Sequence, residues 1–291
     1  MSIRMQRIRF GEAYMYPAIV DAHLHFLDPA HIDYPWLARF PVAIDMAEYA
    51  RSARDLAIAG AIHVEGDAVA GQAVAEMEAV VSGARSHPSF PKLLGIIAGY
   101  RSSADEAVWD HPLIVGCRRV FVPLDDAAIV EMAGNPVMRG AFRAGGCFDL
   151  CIRHHQIGAA IQLVDSLPDT VRFVLDHCGN PDIAASVDAS WRTGMTDLAR
   201  RPNVAVKISG LTSIAGPDWT ESGVAPFITT TIDIFGWDRV IWGSDWPVCN
   251  LHGSMKRWMS ATRFAISGCS ETEAARLFNG NARRWYELTA G

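Results

Sequence analysis

Short apolar runs rich in β-branched residues recur along this chain, separated by stretches with helical periodicity. The runs are AIVDAHLH (18–25), GAIHVEG (60–66), KLLGIIAGY (92–100), GCRRVFVPL (116–124), CFDLCIR (147–153), TVRFVLDH (170–177), NVAVKISG (203–210) and RVIWGSD (239–245). Near-continuous apolar runs of this length predict strands buried on both faces, as in a parallel sheet. Residues 68–85 and the stretch QIGAAIQLVDSL after the fifth run predict crossover helices. Eight strands alternating with helices in 291 residues predict an α/β fold, a (β/α)8 TIM barrel in a single domain spanning 1–291. A doubly wound open sheet is the competing architecture. It often carries a glycine-rich turn after its first strand, whereas here that strand runs into HLHFLDP. No linker-like tract or internal repeat divides the chain. Residues 26–45 hold three prolines and predict a long irregular loop where barrels build lids over substrate; 210–225 predict a second long loop.

Composition narrows the partners. The net charge of −6 and the absence of a basic run argue against nucleic acid or an anionic membrane surface. No 18-residue apolar run predicts a membrane span. The opening MSIRMQRIRF is basic but lacks an apolar segment and a small-residue cleavage site, so it is not expected to be a secretory signal. Six cysteines without a C-x-x-C pair are expected to be buried thiols in a reducing cytoplasm.

Polar residues interrupt the apolar runs mainly at their C-terminal ends, where barrels gather catalytic groups. His23 and His25 stand at i and i+2, so a strand would project both from one face, with Asp21 below them. A chance pair among ten histidines is the ordinary explanation; a shared metal ion is the sharper one. Glu65, Arg118 or Arg119, Arg153, His177, Lys207 and Asp245 complete the set. Arg118 and Arg119 are adjacent, so only one can face inward. A lysine in the middle of VAVKISG is costly unless paired or functional. His177 also fits a satisfied core histidine, and Glu65 a solvated loop residue.

VDAHLHFLDP…DYPWL, RFVLDHCGNP, VKISGL, VIWGSDWP and the closing LFNGNARRWY together resemble the amidohydrolase superfamily, amidohydrolase 2 type. The lactonase-like branch, with sugar-lactone hydrolases such as L-fuconolactonase and L-rhamnonolactonase, is the most similar. The resemblance covers nearly the whole chain. It implies a distorted barrel whose site joins His23, His25, His177 and Asp245. Two-metal members carry a modified lysine on strand four; GCRRVFV offers arginines there, which weakens a two-metal reading. The branch often has a proline after the strand-five arginine, where this chain has His154 and His155, expected to start a helix or else to alter substrate contacts.

The expected chemistry is opening of a lactone ring, with a small lactone or sugar acid as the partner. One divalent ion, Zn2+ by preference, would be held by His23, His25 and a carboxylate, with Glu65 as an added ligand. Asp245 is expected to be the general base and also to touch the metal. His177 would donate to the carbonyl oxygen or hold the water. Arg153, Arg118 and Lys207 would bind hydroxyl or carboxylate groups, and Trp36 would cover an apolar sugar face. Two other enzyme readings remain: a metal-independent lactonase similar to 2-pyrone-4,6-dicarboxylate lactonase, and a decarboxylase on the same barrel. A barrel that only binds ligand fits least. Assembly into a homo-oligomer stays open.

Overall fold

A computed structural model describes residues 18–37, 44–135, 138, 146–184 and 187–288. The basic opening segment and residues 38–43 of the expected lid lie outside this set. Eight parallel strands follow one another around the sheet in chain order: β1 (Ile19–Leu24), β2 (Ile58–Val64), β3 (Lys92–Gly99), β4 (Ile114–Val120), β5 (Cys147–Cys151), β6 (Arg172–Leu175), β7 (Val204–Ile208) and β8 (Val240–Trp242). Between them run α1 (Met46–Ser52), α2 (Ala73–Ser86), α3 (Asp126–Glu131), α4 (Ile157–Asp165), α5 (Ala189–Leu198), α6 (Leu211–Ala215) and α7 (Glu221–Phe235). A 3-10 segment, Ser103–Asp110, replaces the helix between β3 and β4. After β8 come α8 (Met255–Ala265), α9 (Glu271–Ala275) and α10 (Asn281–Trp285). Side-chain caps start many of these helices: Asp45 accepts from Glu48 N, Asp125 from Ala128 N, Thr220 from Gly223 N and Ser254 from Arg257 N. This is the expected (β/α)8 barrel.

β1 and β8 do not pair along their length. The seam is closed by the segment after β8: Asp245 N donates to His23 O at 2.8 Å, and His25 N to Trp246 O at 2.7 Å. Ser244 N adds a bond to Asp21 Oδ1 at 2.8 Å. This closeness requires Gly243, since a Cβ there would lie 2.5 Å from the Cβ of His23. Inside the barrel, Val20, Ala22, Ile62, Val64, Ile97, Cys147, Val174, Ala205 and Ile241 form an apolar cluster with Trp285 and Tyr286 at the end of α10. On β5, β6 and β7 the positions two residues further along, Asp149, Asp176 just past the end of β6, and Lys207, are buried and charged.

The strands are shorter than the apolar runs that predicted them. β6 ends at Leu175 and β8 at Trp242, so His177 and Asp245 stand on the loops beyond. Both have left-handed backbones, with φ of 54° and 58°. α2 starts at Ala73 rather than 68, because Gly71 takes φ 85° just before it. The loop expected over 210–225 contains α6 and the start of α7, set off by Gly216 and by the Thr220 cap. His154 and His155 do begin a helical segment, the 3-10 turn that leads into α4.

Candidate active site

At the C-terminal ends of the strands a cavity of about 410 Å³ is lined by His25, Trp36, Asp67, Arg118, His177 and Asp245. Val120, Val122, Cys151, Val248 and Leu251 supply an apolar wall. A larger recess, about 700 Å³, lies at the opposite end by Arg172, Arg239 and Trp285 and contains none of the expected chemistry.

His25 Nδ1 faces two carbonyl oxygens, Val64 O at 2.8 Å and Glu65 O at 3.1 Å. Both are acceptors, so Nδ1 carries a proton and Nε2 is the nitrogen turned towards the site. That Nε2 lies 3.5 Å from Asp245 Oδ1, and His23 Nε2 lies 3.7 Å from the same oxygen. His23 is fully buried, and each of its nitrogens meets one cation and one carboxylate. Nδ1 has Lys207 Nζ at 3.2 Å and Asp176 Oδ1 at 3.3 Å; Nε2 has Arg118 at 3.4 Å besides Asp245. Burial, then the Lys207 charge, holds His23 well below the usual imidazole range, so it is neutral. His177 is shifted the same way, mainly by burial, although Asp245 and Asp176 oppose the shift. Its Nδ1 lies 2.9 Å from Ser209 Oγ. Gly210, φ 67°, permits this turn, because a Cβ there would come within 2.4 Å of the His177 ring.

His23, His25 and Asp245 offer ligand atoms within 4.8 Å of one another, as do His23, Asp176 and His177. The first trio fits a single divalent ion better. Among the described residues its carboxylate is not paired with an arginine or lysine, whereas Asp176 is paired with both Lys207 and Arg118. The backbone carbonyls behind His25 are the kind of support a ligating imidazole uses.

The structure thus brings together His23, His25, His177, Asp245, Arg118 and Trp36. Arg118 faces the site, and Arg119 is half-buried away from it. Trp36 Nε1 donates to Gly66 O at 2.6 Å, which fixes the ring on the cavity edge. Four expectations change. Asp21 does not join the histidines: the β1 register breaks between Asp21 and Leu24, and its carboxylate instead accepts from Tyr49 Oη at 2.9 Å and from Ser244 N. Glu65 is not free to bind metal. Arg118 Nε donates to one of its oxygens at 2.7 Å, and Arg101 and Asp67 N take the other at 3.1 and 2.7 Å. Burial alone would raise the Glu65 carboxyl; the two guanidinium groups pull it down to about 2. Lys207 is fully buried, 2.5 Å from Asp149 and 3.2 Å from Asp176, and does not line the cavity. Arg153 is exposed at the rim, its Nε donating to Val122 O at 3.2 Å, outside the cavity lining.

Asp176, Asp149, Arg101 and Ser209 were not singled out by sequence reasoning. The only signal was an acid inside an apolar run, as in CFDLC and FVLDH.

The amidohydrolase family model matches residues 20–288. This chain belongs to the amidohydrolase family. The amidohydrolase is 32% identical over 173 residues to an L-fucono-1,5-lactonase of Burkholderia ambifaria, covering 57% of this chain and 59% of that protein. It is 34% identical over 104 residues to a 4-sulfomuconolactone hydrolase of Hydrogenophaga intermedia, covering 35% and 34%. The chain therefore spans little more than half the length of the first of these relatives. In structure it is similar to an amidohydrolase from Burkholderia multivorans with bound zinc: the TM-score is 0.79 at 24% identity, over 94% of this chain and 100% of that one. At that identity the likeness is one of fold.

Proposed function

We propose that this amidohydrolase opens the ring of a small sugar-type lactone by hydrolysis, with Asp245 as general base. The observation that carries the reading is the convergence of Asp245 Oδ1 on His23 and His25 at the floor of the cavity, from the two sides of the barrel seam. Support also comes from the relatives, whose names are those of lactone hydrolases.

Water attacks the lactone carbonyl carbon, and Asp245 accepts its proton as the new C–O bond forms. The ring C–O bond then breaks, and Asp245 returns the proton to the departing hydroxyl, so the carboxylate is regenerated. Neutral His177 donates a hydrogen bond to the carbonyl oxygen from Nε2, provided Ser209 Oγ–H donates to its Nδ1. Arg118 places positive charge beside the developing oxyanion. Trp36 covers the ring. A divalent ion, zinc by preference, would be held by His23, His25 and Asp245 and would supply carbonyl polarisation or a more acidic water.

A specific observation favours a second reading, a metal-independent lactonase: two side-chain cations, Lys207 and Arg118, already flank the His23 ring. The cytoplasm is the compartment that suits this reading, supported by six free cysteines. No helix among the described residues is long and apolar enough to cross a membrane.

The test is a panel of aldono- and uronolactones followed with a pH indicator, with metal content measured before and after chelation. We expect turnover on at least one lactone and about one divalent ion per chain. Loss of activity on chelation, restored by zinc, supports the metal reading; full activity in metal-free protein supports the second. Asp245→Asn should lose about 10²–10⁴ in kcat with the fold intact. A folded, nearly fully active variant would reject the general-base role.

A further inference from the structure

Building on the lactonase reading, we propose that Asp67 is a specificity-determining residue: it selects lactones that present neutral hydroxyl groups and rejects those that present a carboxylate or sulfonate at the same place. Asp67 lies just beyond β2 and lines the cavity with a left-handed backbone, φ 60°. Its N–H is tied to Glu65 Oε2 at 2.7 Å, which sets the turn. Its side chain is 40% exposed, so the carboxylate meets whatever enters. Arg101 pairs with Oδ1. Among the described residues Oδ2 takes no hydrogen bond, so on this cavity-lining side chain it is left as an acceptor suited to one or two hydroxyl donors.

The second half of the inference concerns the cations. Beyond Arg118, which faces the developing oxyanion, an anionic substituent needs a further guanidinium or ammonium, and the described cavity lining holds none. Arg118 gives Nε to Glu65 Oε1 and a terminal nitrogen to Glu65 O at 2.5 Å. Arg101 is committed to Glu65 and Asp67. Lys207 is closed off between two aspartates. An anion beside Asp67 would therefore lose hydration and face a carboxylate, with Arg119 near Asp67 and Arg153 at the rim but neither lining the cavity, while a hydroxyl gains a charge-assisted bond. The wall of Val120, Val122, Cys151, Val248 and Leu251 suits a C–H-rich ring face and offers no anion a donor side chain. Sites that bond a substrate hydroxyl discriminate strongly against analogues that cannot supply it.

The experiment compares wild type, Asp67→Asn and Asp67→Ser on matched lactones: neutral aldonolactones, and aldaric-acid lactones that keep a free carboxylate. Non-hydrolysable lactams of both kinds are measured alongside by calorimetry. In the wild type the neutral ring should be preferred by roughly tenfold or more in kcat/KM and in lactam affinity. Both variants should shrink that preference by about tenfold, chiefly through KM for the neutral ring, with melting temperatures confirming the fold. If the wild type hydrolyses neither ring yet binds the neutral lactam in an Asp67-dependent way, the lactonase reading falls and the selectivity stands. Equal handling of neutral and anionic rings by the wild type, or an unchanged preference in both variants, overturns the proposal. Should neither variant fold, Asp67→Glu, which keeps the charge but moves the carboxylate, takes their place, and a preference it leaves unchanged overturns the proposal.

Discussion

Lys207 holds its charge in a place water does not reach. Burial alone would lower its pKa, and the Asp149 and Asp176 carboxylates reverse this and raise it. Burial would likewise raise Asp176, but Lys207 and His23 hold it well below the usual carboxylate range. The ammonium is thus the counter-charge that lets Asp176 stay ionised against His23. Replacing Lys207 with Met leaves the buried Asp149 without its cation and Asp176 with Arg118 alone. Breaking such a pair from one side costs about 3–5 kcal/mol, so Lys207→Met should lower the urea midpoint markedly. A variant as stable as wild type, changed only in KM, would put Lys207 back in contact with substrate. The difference between these roles was not legible in the sequence. VAVKISG announces an expensive lysine but not its neighbours, which come from β5 and from the end of β6. The histidines and Asp245 were easier, because their place at the ends of apolar runs already implied the mouth of a barrel. Glu65 sat in the same kind of place, and only the two arginines across from it decide that it is a structural anion.

At the level of elements, α2 is joined to the site by one buried acid. Glu76, in its first turn, accepts from Gly66 N at 2.8 Å and so anchors the turn that carries Glu65 and Asp67. Burial first, then the nearby Glu65 charge, raises the Glu76 carboxyl from 4.5 to about 8. A folded-state pKa above the unfolded one means the native protein binds this proton more tightly. Glu76 therefore imposes no penalty below about pH 4.5, and an increasing one as pH rises towards 8. Glu76→Gln keeps the acceptor for Gly66 and removes the titration. Its melting temperature should exceed that of wild type at pH 8.5 and converge with it near pH 5. Parallel curves across that range would show that Glu76 is not protonated in the fold. Element identities were legible because parallel strands covered on both sides must be apolar throughout. Element ends were not, because the apolar run continues into loops that turn by left-handed residues, as at His177 and Asp245. Among the residues that leave the regular geometry, Asp67, His177 and Asp245 face the cavity.

Across the whole molecule the barrel interior is stratified. An apolar layer lies against Trp285 and Tyr286, and a charged layer of Asp149, Lys207, Asp176, Arg118 and His23 lies above it, beneath the cavity. Tyr286 joins the two, donating its hydroxyl to Asp149 Oδ1 at 2.9 Å. The alternation of eight runs made the barrel legible, but the sequence did not show how it closes. That seam has a dynamic consequence. The amide protons of His25 and Asp245 are locked to Trp246 O and His23 O, so they can trade with solvent deuterium only when the first and last strands part. Parting them also scatters the two imidazoles and the carboxylate. Deuterium uptake at these two amides should therefore follow a single opening rate, and an ion or ligand that bridges His23, His25 and Asp245 should slow both by the same factor. Uptake at different rates, or protection of one amide alone, would mean that the barrel can unzip without dismantling its own chemistry.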